Sequence, residues 1–128
     1  MDESCTVYNV FDIVAKRWSL LIILSLSRCD GKKRYSEIKK DINNITPKIL
    51  SARLRELELQ GLIRKEIDSS SVPVKTFYHL TDSGSDLFGI IQNLKRWGLK
   101  WNLENEECKK RSCSNCRIPL DDCASHSI

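Results

Sequence analysis

The stretch from Thr46 to Glu66, TPKILSARLRELELQGLIRKE, leaves little freedom in how it can fold. Threonine followed by proline opens a helix, because the hydroxyl caps a free N–H and proline lacks the N–H that would otherwise go unpaired. Gly61 closes it by accepting a left-handed backbone that other residues resist. Within this span Leu50, Leu54 and Leu57 recur on one side at ~100° per residue. Lys48, Ala52, Arg55 and Leu59 fall opposite, with Ser51 on the flank. A β-type run, LIRKEID, begins directly after the glycine. One side of this helix must therefore be buried while the other presents cations and a hydroxyl to something outside.

The surrounding pattern places that helix in a larger unit. Val7, Val10, Phe11 and Val14 recur at three and four, predicting a first helix. WSLLIILSLS predicts a second, buried on most sides, and is too short and serine-rich to span a bilayer, which takes roughly 20 apolar residues. CDGKKR reads as a loop turning at Asp30-Gly31. Ser36 is expected to cap a helix of about two turns over EIKKDI. Asn43 and Asn44 then supply a tight turn, since asparagine tolerates unusual backbone angles. LIRKEID and VKTFYHLT form a hairpin across the polar connector SSSVP. A long capped helix starts at TDSG and carries Leu87, Ile90, Ile91, Leu94, Trp97, Leu99 and Trp101. Two helices joined by a tight turn and followed by a β hairpin make a winged helix-turn-helix. The expected fold is mainly α with a two-stranded β wing, and residues 1–104 form this domain. Residues 105–128 form a cysteine-rich tail.

On that scaffold the exposed cations acquire places. Lys48, Ser51 and Arg55 project together from the N-terminal half of the groove-facing helix, where side chains reach base edges in the major groove of double-stranded DNA. Thr46 sits at its N-terminus, where the helix end favours a phosphate. Arg53 lies nearer the core boundary and can extend toward a phosphate. Lys39 and Lys40 on the preceding helix, and Arg64, Lys65 and Lys75 on or beside the wing, would neutralise the backbone on either side. The net charge of +4 proves nothing alone; the distribution carries the argument.

Together, CTVYNVFDIVAKRWSLLIILSLS, RYSEIKKDINNITPKILSARLRELELQGLIRKE and YHLTDSG resemble the HxlR-type (DUF24) branch of winged-helix transcriptional regulators, which is akin to the MarR regulators. The matching positions are Cys5, Arg17-Trp18, Ile45 to Lys48, Ser51 to Leu57, Gly61-Leu62 and Tyr78 to Gly84. The resemblance covers roughly residues 5–101. It implies a DNA-binding homodimer whose N-terminal and final long helices form the dimer interface. It also places Cys5 where several such regulators sense oxidants or electrophiles. Thr6 stands where a proline often follows that cysteine, and the wing tip DSSSVPVK carries no arginine.

Cysteine use divides in two. Cys5 precedes a helix N-terminus, which favours a thiolate, but Asp2 and Glu3 oppose one. Cys29 reads as a partly buried small residue. Cys108, Cys113, Cys116 and Cys123 follow a C-x4-C-x2-C-x6-C spacing able to give four thiolates to zinc or to an iron–sulfur cluster. Disulfides, thiol switching or a disordered tail are the other readings. MDESC has no signal-peptide pattern, so the chain reads as intracellular and cytoplasmic. His79 and His126 are the only histidines, and no nucleophile set, phosphate loop or carboxylate pair suggests an enzyme. The expectation is a dimeric, sequence-specific DNA-binding regulator whose output responds to redox state or to a metal. The alternative is a small metal- or thiol-carrying redox protein that uses the winged helix for protein contact.

Overall fold

The computed structural model describes residues 4–28 and 31–101. Among the described residues five helices and three strands follow one another: α1 (Thr6–Val14), α2 (Arg17–Leu26), β1 (Lys32–Arg34), α3 (Tyr35–Asp41), α4 (Pro47–Leu59), β2 (Ile63–Asp68), β3 (Lys75–Leu80) and α5 (Asp82–Lys100). The strands form one antiparallel sheet in the order β1-β3-β2.

The local rules hold around α4. Thr46 Oγ1 accepts from the Ile49 amide at 3.2 Å. Asn44 takes φ 68° in the turn before it, and Gly61 takes φ 77° after it. Leu50, Leu54 and Leu57 are all but fully buried, and they meet Ile22, Ile23 and Leu26 of α2, Ile38 and Ile42 of the α3 segment, and Ile63 of β2. This single cluster fixes α4 against the rest of the domain by burial of apolar surface.

Two expectations are corrected on the α3 side. KKR is not loop but β1, a third strand that pairs with β3 through Lys32↔His79, Lys33↔Tyr78 and Arg34↔Phe77. The wing hairpin is thus the outer part of a three-stranded sheet. The helix after it is capped at Arg34 rather than Ser36: the Arg34 amide donates to Glu37 Oε1 at 3.0 Å. The reason is nonlocal. Pairing with β3 holds Arg34 in extended backbone, so the chain turns into the helix at once.

β1 also buries a charge. Lys33 and Asp41 are 2% and 1% exposed and form an ion pair. Ser25 Oγ donates to the same Asp41 oxygen at 2.7 Å. Three elements, α2, β1 and α3, are tied by this buried polar cluster.

A second joint connects α4 to α5. Thr81 caps α5, its Oγ1 accepting from the Gly84 amide at 3.2 Å. The same hydroxyl donates to the Gly61 carbonyl at 2.5 Å, and the Thr81 amide donates to the Leu62 carbonyl at 3.1 Å. Gly84 packs so closely there that a β carbon would come within 2.1 Å of the Leu62 carbonyl oxygen.

Candidate nucleic-acid interface

Helix α4 presents an outer face opposite its three leucines. Lys48, Ser51, Ala52 and Arg55 are exposed there, and Leu59 is 81% exposed at the far end. Thr46 is exposed at the N-terminus, where its hydroxyl is engaged as the cap. Tyr35, the first residue of α3, donates its hydroxyl to the Pro47 carbonyl at 3.2 Å and lies 3.4 Å from Ser51 Oγ. Sequence reasoning missed this contact, because no periodicity tells a tyrosine on one helix which carbonyl it meets on another. The tyrosine links the two helices and lies beside one of the exposed polar groups.

The remaining cations take different positions. Lys39 and Lys40 are exposed in the last turn of α3, where the helix dipole favours them. Arg53 is half-buried, and its guanidinium contacts Glu56 at 2.6 Å; Lys16, just before α2, meets the other Glu56 oxygen at 3.5 Å. Arg64 and Lys65 are both exposed on β2, but strand alternation sends them to opposite faces of the sheet. Lys75 opens β3 opposite Asp68. At that wing tip Ser70 donates to Asp68 Oδ1 from its amide at 3.0 Å and its hydroxyl at 2.5 Å. These bonds, the hydroxyl's first, hold the Asp68 carboxyl below its ordinary value, with Lys75 adding to the effect.

Cys5 is the N-cap of α1, half-buried, and lines a cleft of about 350 Å³ with Val7, Tyr8, Phe11 and Asp12. Cys29 and the four tail cysteines, Cys108, Cys113, Cys116 and Cys123, lie outside the described residues. Among the described residues there is no cluster of His, Cys, Asp and Glu that could hold a metal ion. No helix among them is long and apolar enough to cross a membrane.

A helix held by a tight turn, capped, basic on its outer face and followed by a β wing defines a winged helix-turn-helix protein. The family model for HxlR-like helix-turn-helix matches residues 13–106. The HTH-type transcriptional regulator YvaP of Bacillus subtilis is 38% identical over 100 residues, covering 77% of this chain and 90% of YvaP. Among solved structures, the reduced form of the transcriptional regulator YodB from B. subtilis aligns with TM-score 0.69 at 33% identity, covering 79% of this chain and 98% of YodB. The redox regulator HypR in its oxidised form aligns with TM-score 0.62 at 35% identity, covering 75% of this chain and 96% of HypR. The chain belongs to the HxlR-like helix-turn-helix family. It is a DNA-binding transcriptional regulator.

Proposed function

We propose that the protein acts in the cytoplasm as a homodimer that reads a two-fold symmetric operator through Lys48, Ser51 and Arg55. The observation that carries this is the division of α4: three leucines lock one side into the core while three polar side chains stand exposed together on the other. Thr46 with the helix N-terminus, Lys39, Lys40, Arg53, Arg64 and Lys75 serve the phosphate backbone, Arg53 after exchanging Glu56 for a phosphate. Dimerisation uses α1 and α5. Val7, Phe11, Ile90, Trp97 and Trp101 are each more than half exposed, large apolar side chains that a second copy would cover. Two such copies would set their α4 helices about one DNA turn, ~34 Å, apart.

The test separates the roles. On a DNA fragment selected from a random pool by the protein itself, Lys48→Ala and Arg55→Ala should each weaken binding by about 1–3 kcal/mol in a way that depends on the base opposite. Lys40→Ala should weaken specific and random DNA alike and flatten the salt dependence. Identical behaviour of all three variants would end the division into base and phosphate contacts. Sedimentation of a clean 14.8 kDa species at micromolar concentration would end the dimer.

Redox or metal response is a further part of this reading. YodB has been solved in reduced and diamide-treated forms and HypR in oxidised and reduced forms, which supports a thiol-dependent output at Cys5. Cys108, Cys113, Cys116 and Cys123 would hold one zinc ion or an iron–sulfur cluster. Any single Cys→Ser change among them should then release the metal while residues 5–101 stay folded. Four freely reacting thiols in anaerobic native protein, with no metal, would refute the metal.

A further inference from the structure

Helix α4 carries an acid where a DNA-facing helix has least use for one. Lys48, Ala52 and Glu56 follow one another at i, i+4 spacing, so they form one row along the helix. The row starts at a side chain assigned to base contact and ends on a carboxylate. Double-stranded DNA carries one negative charge for every ~1.7 Å of its axis, so an uncovered carboxylate at that border opposes binding.

The fold covers that carboxylate from two sides. Arg53 Nη1 lies 2.6 Å from Glu56 Oε1, and Lys16 Nζ lies 3.5 Å from Glu56 Oε2. Arg53 belongs to α4 itself, whereas Lys16 is the N-cap of α2 and directly follows Ala15, which ends α1. The side chains of Lys16, Glu56 and Arg53 are 41%, 39% and 28% exposed. Ion pairs so open to water are weak and exchange readily. Arg53 can therefore leave Glu56 for a phosphate, and Lys16 stays to cover the charge that Arg53 uncovers. Without Lys16 the same exchange would turn a bare carboxylate toward the DNA.

We propose that Glu56 is a resident competitor of the DNA backbone for Arg53, and that Lys16 sets how strongly it competes. This rests on the phosphate contact assigned to Arg53 above. The competition falls on every DNA sequence alike, because phosphate contacts carry no base information. Base choice stays with Lys48, Ser51 and Arg55, and Glu56 sets the level of affinity on which that choice is superimposed. Lys16 is a positioning residue, acting on the nucleic acid only through Glu56.

The test is fluorescence anisotropy of the full-length reduced protein on the selected DNA fragment and on random DNA of equal length, between about 50 and 200 mM salt. Glu56→Gln should tighten binding to both by about threefold or more, on the scale of an exposed ion pair. It should also steepen the log–log salt slope by up to about 0.9, the value of one more neutralised phosphate. Lys16→Gln should weaken both DNAs about threefold, and should change nothing further once Glu56 is glutamine. Arg53→Ala should weaken both and remove most of the gain from Glu56→Gln. Urea midpoints close to the parent's confirm that the folds compare. Unchanged or weaker binding by Glu56→Gln would overturn the proposal. A gain that persists in full beside Arg53→Ala would reduce Glu56 to a repelling charge and overturn the competition. An equal loss from Lys16→Gln with and without Glu56 would make Lys16 a phosphate contact and overturn its positioning role. Arg53→Ala binding like the parent would overturn the phosphate contact of Arg53 together with the competition, and it would leave the base contacts of α4 untouched.

Discussion

The buried ion pair of Lys33 and Asp41 offers the sharpest energetic test of the fold. At an effective dielectric near 20, two unit charges in contact attract by on the order of 5 kcal/mol. Removing each from water costs several kcal/mol, so the intact pair contributes close to nothing net. Breaking it from one side is different. Asp41→Asn leaves a lysine that is 2% exposed without its counter-charge, and Lys33→Met leaves a carboxylate that is 1% exposed facing only Ser25 among these three. Each single change should cost about 3–5 kcal/mol, a large share of the roughly 5–15 kcal/mol that holds a domain folded. The double variant Lys33→Met/Asp41→Asn should cost no more than about 2 kcal/mol, because the amide keeps the Ser25 hydrogen bond and neither position still buries a charge. Urea unfolding at a fixed protomer concentration, with equal slopes for all four proteins, measures the cycle. A coupling of at least about 2 kcal/mol is expected. Additive losses would refute the claim that the two buried charges depend on each other.

Three further outcomes are expected. Thr46→Ala should destabilise by about 1 kcal/mol through loss of the cap on Ile49, and Thr46→Ser should restore it, both read by urea midpoints. Gly84→Ala should destabilise by at least about 1–3 kcal/mol, because the new carbon meets a backbone oxygen at 2.1 Å and no side chain can give way; a neutral change would disprove the close approach. Tyr78 has its phenol raised above the ordinary 10.0, by burial first, then by Glu58 and Tyr35. A raised folded value means the stability it contributes is complete below about pH 10 and is lost as pH rises through the folded value. The stability difference between Tyr78→Phe and the parent should therefore be constant at neutral pH and move in the variant's favour above about pH 10; a flat difference would remove the assigned cause.

What could be read from the sequence was what neighbouring residues decide among themselves. Thr46, Pro47, Asn44 and Gly61 each act within a few positions, and the leucines of α4 need only a helical period to show which side is buried. β1 escaped notice because Lys32, Lys33 and Arg34 have no strand preference of their own. They become a strand because β3 offers them an edge and Asp41, eight residues on, receives Lys33. The same limit applies to the interface. Periodicity put Lys48, Ser51 and Arg55 on one outer face, yet it could not say that Arg53 would turn to Glu56, or that Tyr35 would lie beside Ser51. Glu56 also draws in Lys16 from the start of α2, a grouping that only the folded chain assembles.

The joint at Thr81 and Gly84 bears on how much variation in operator length the protein can accept. Two hydrogen bonds from one threonine and a gap with no room for a methyl group leave α4 and α5 almost no play at their junction. In the proposed dimer α5 carries the partner, so the distance and angle between the two α4 helices are set at this joint. One inserted base pair moves a half-site by about 3.4 Å and turns it by about 35°. A loose hinge would absorb that step, and this joint would not. A single added or deleted base pair at the centre of the operator should therefore cost more affinity than a base change within one half-site.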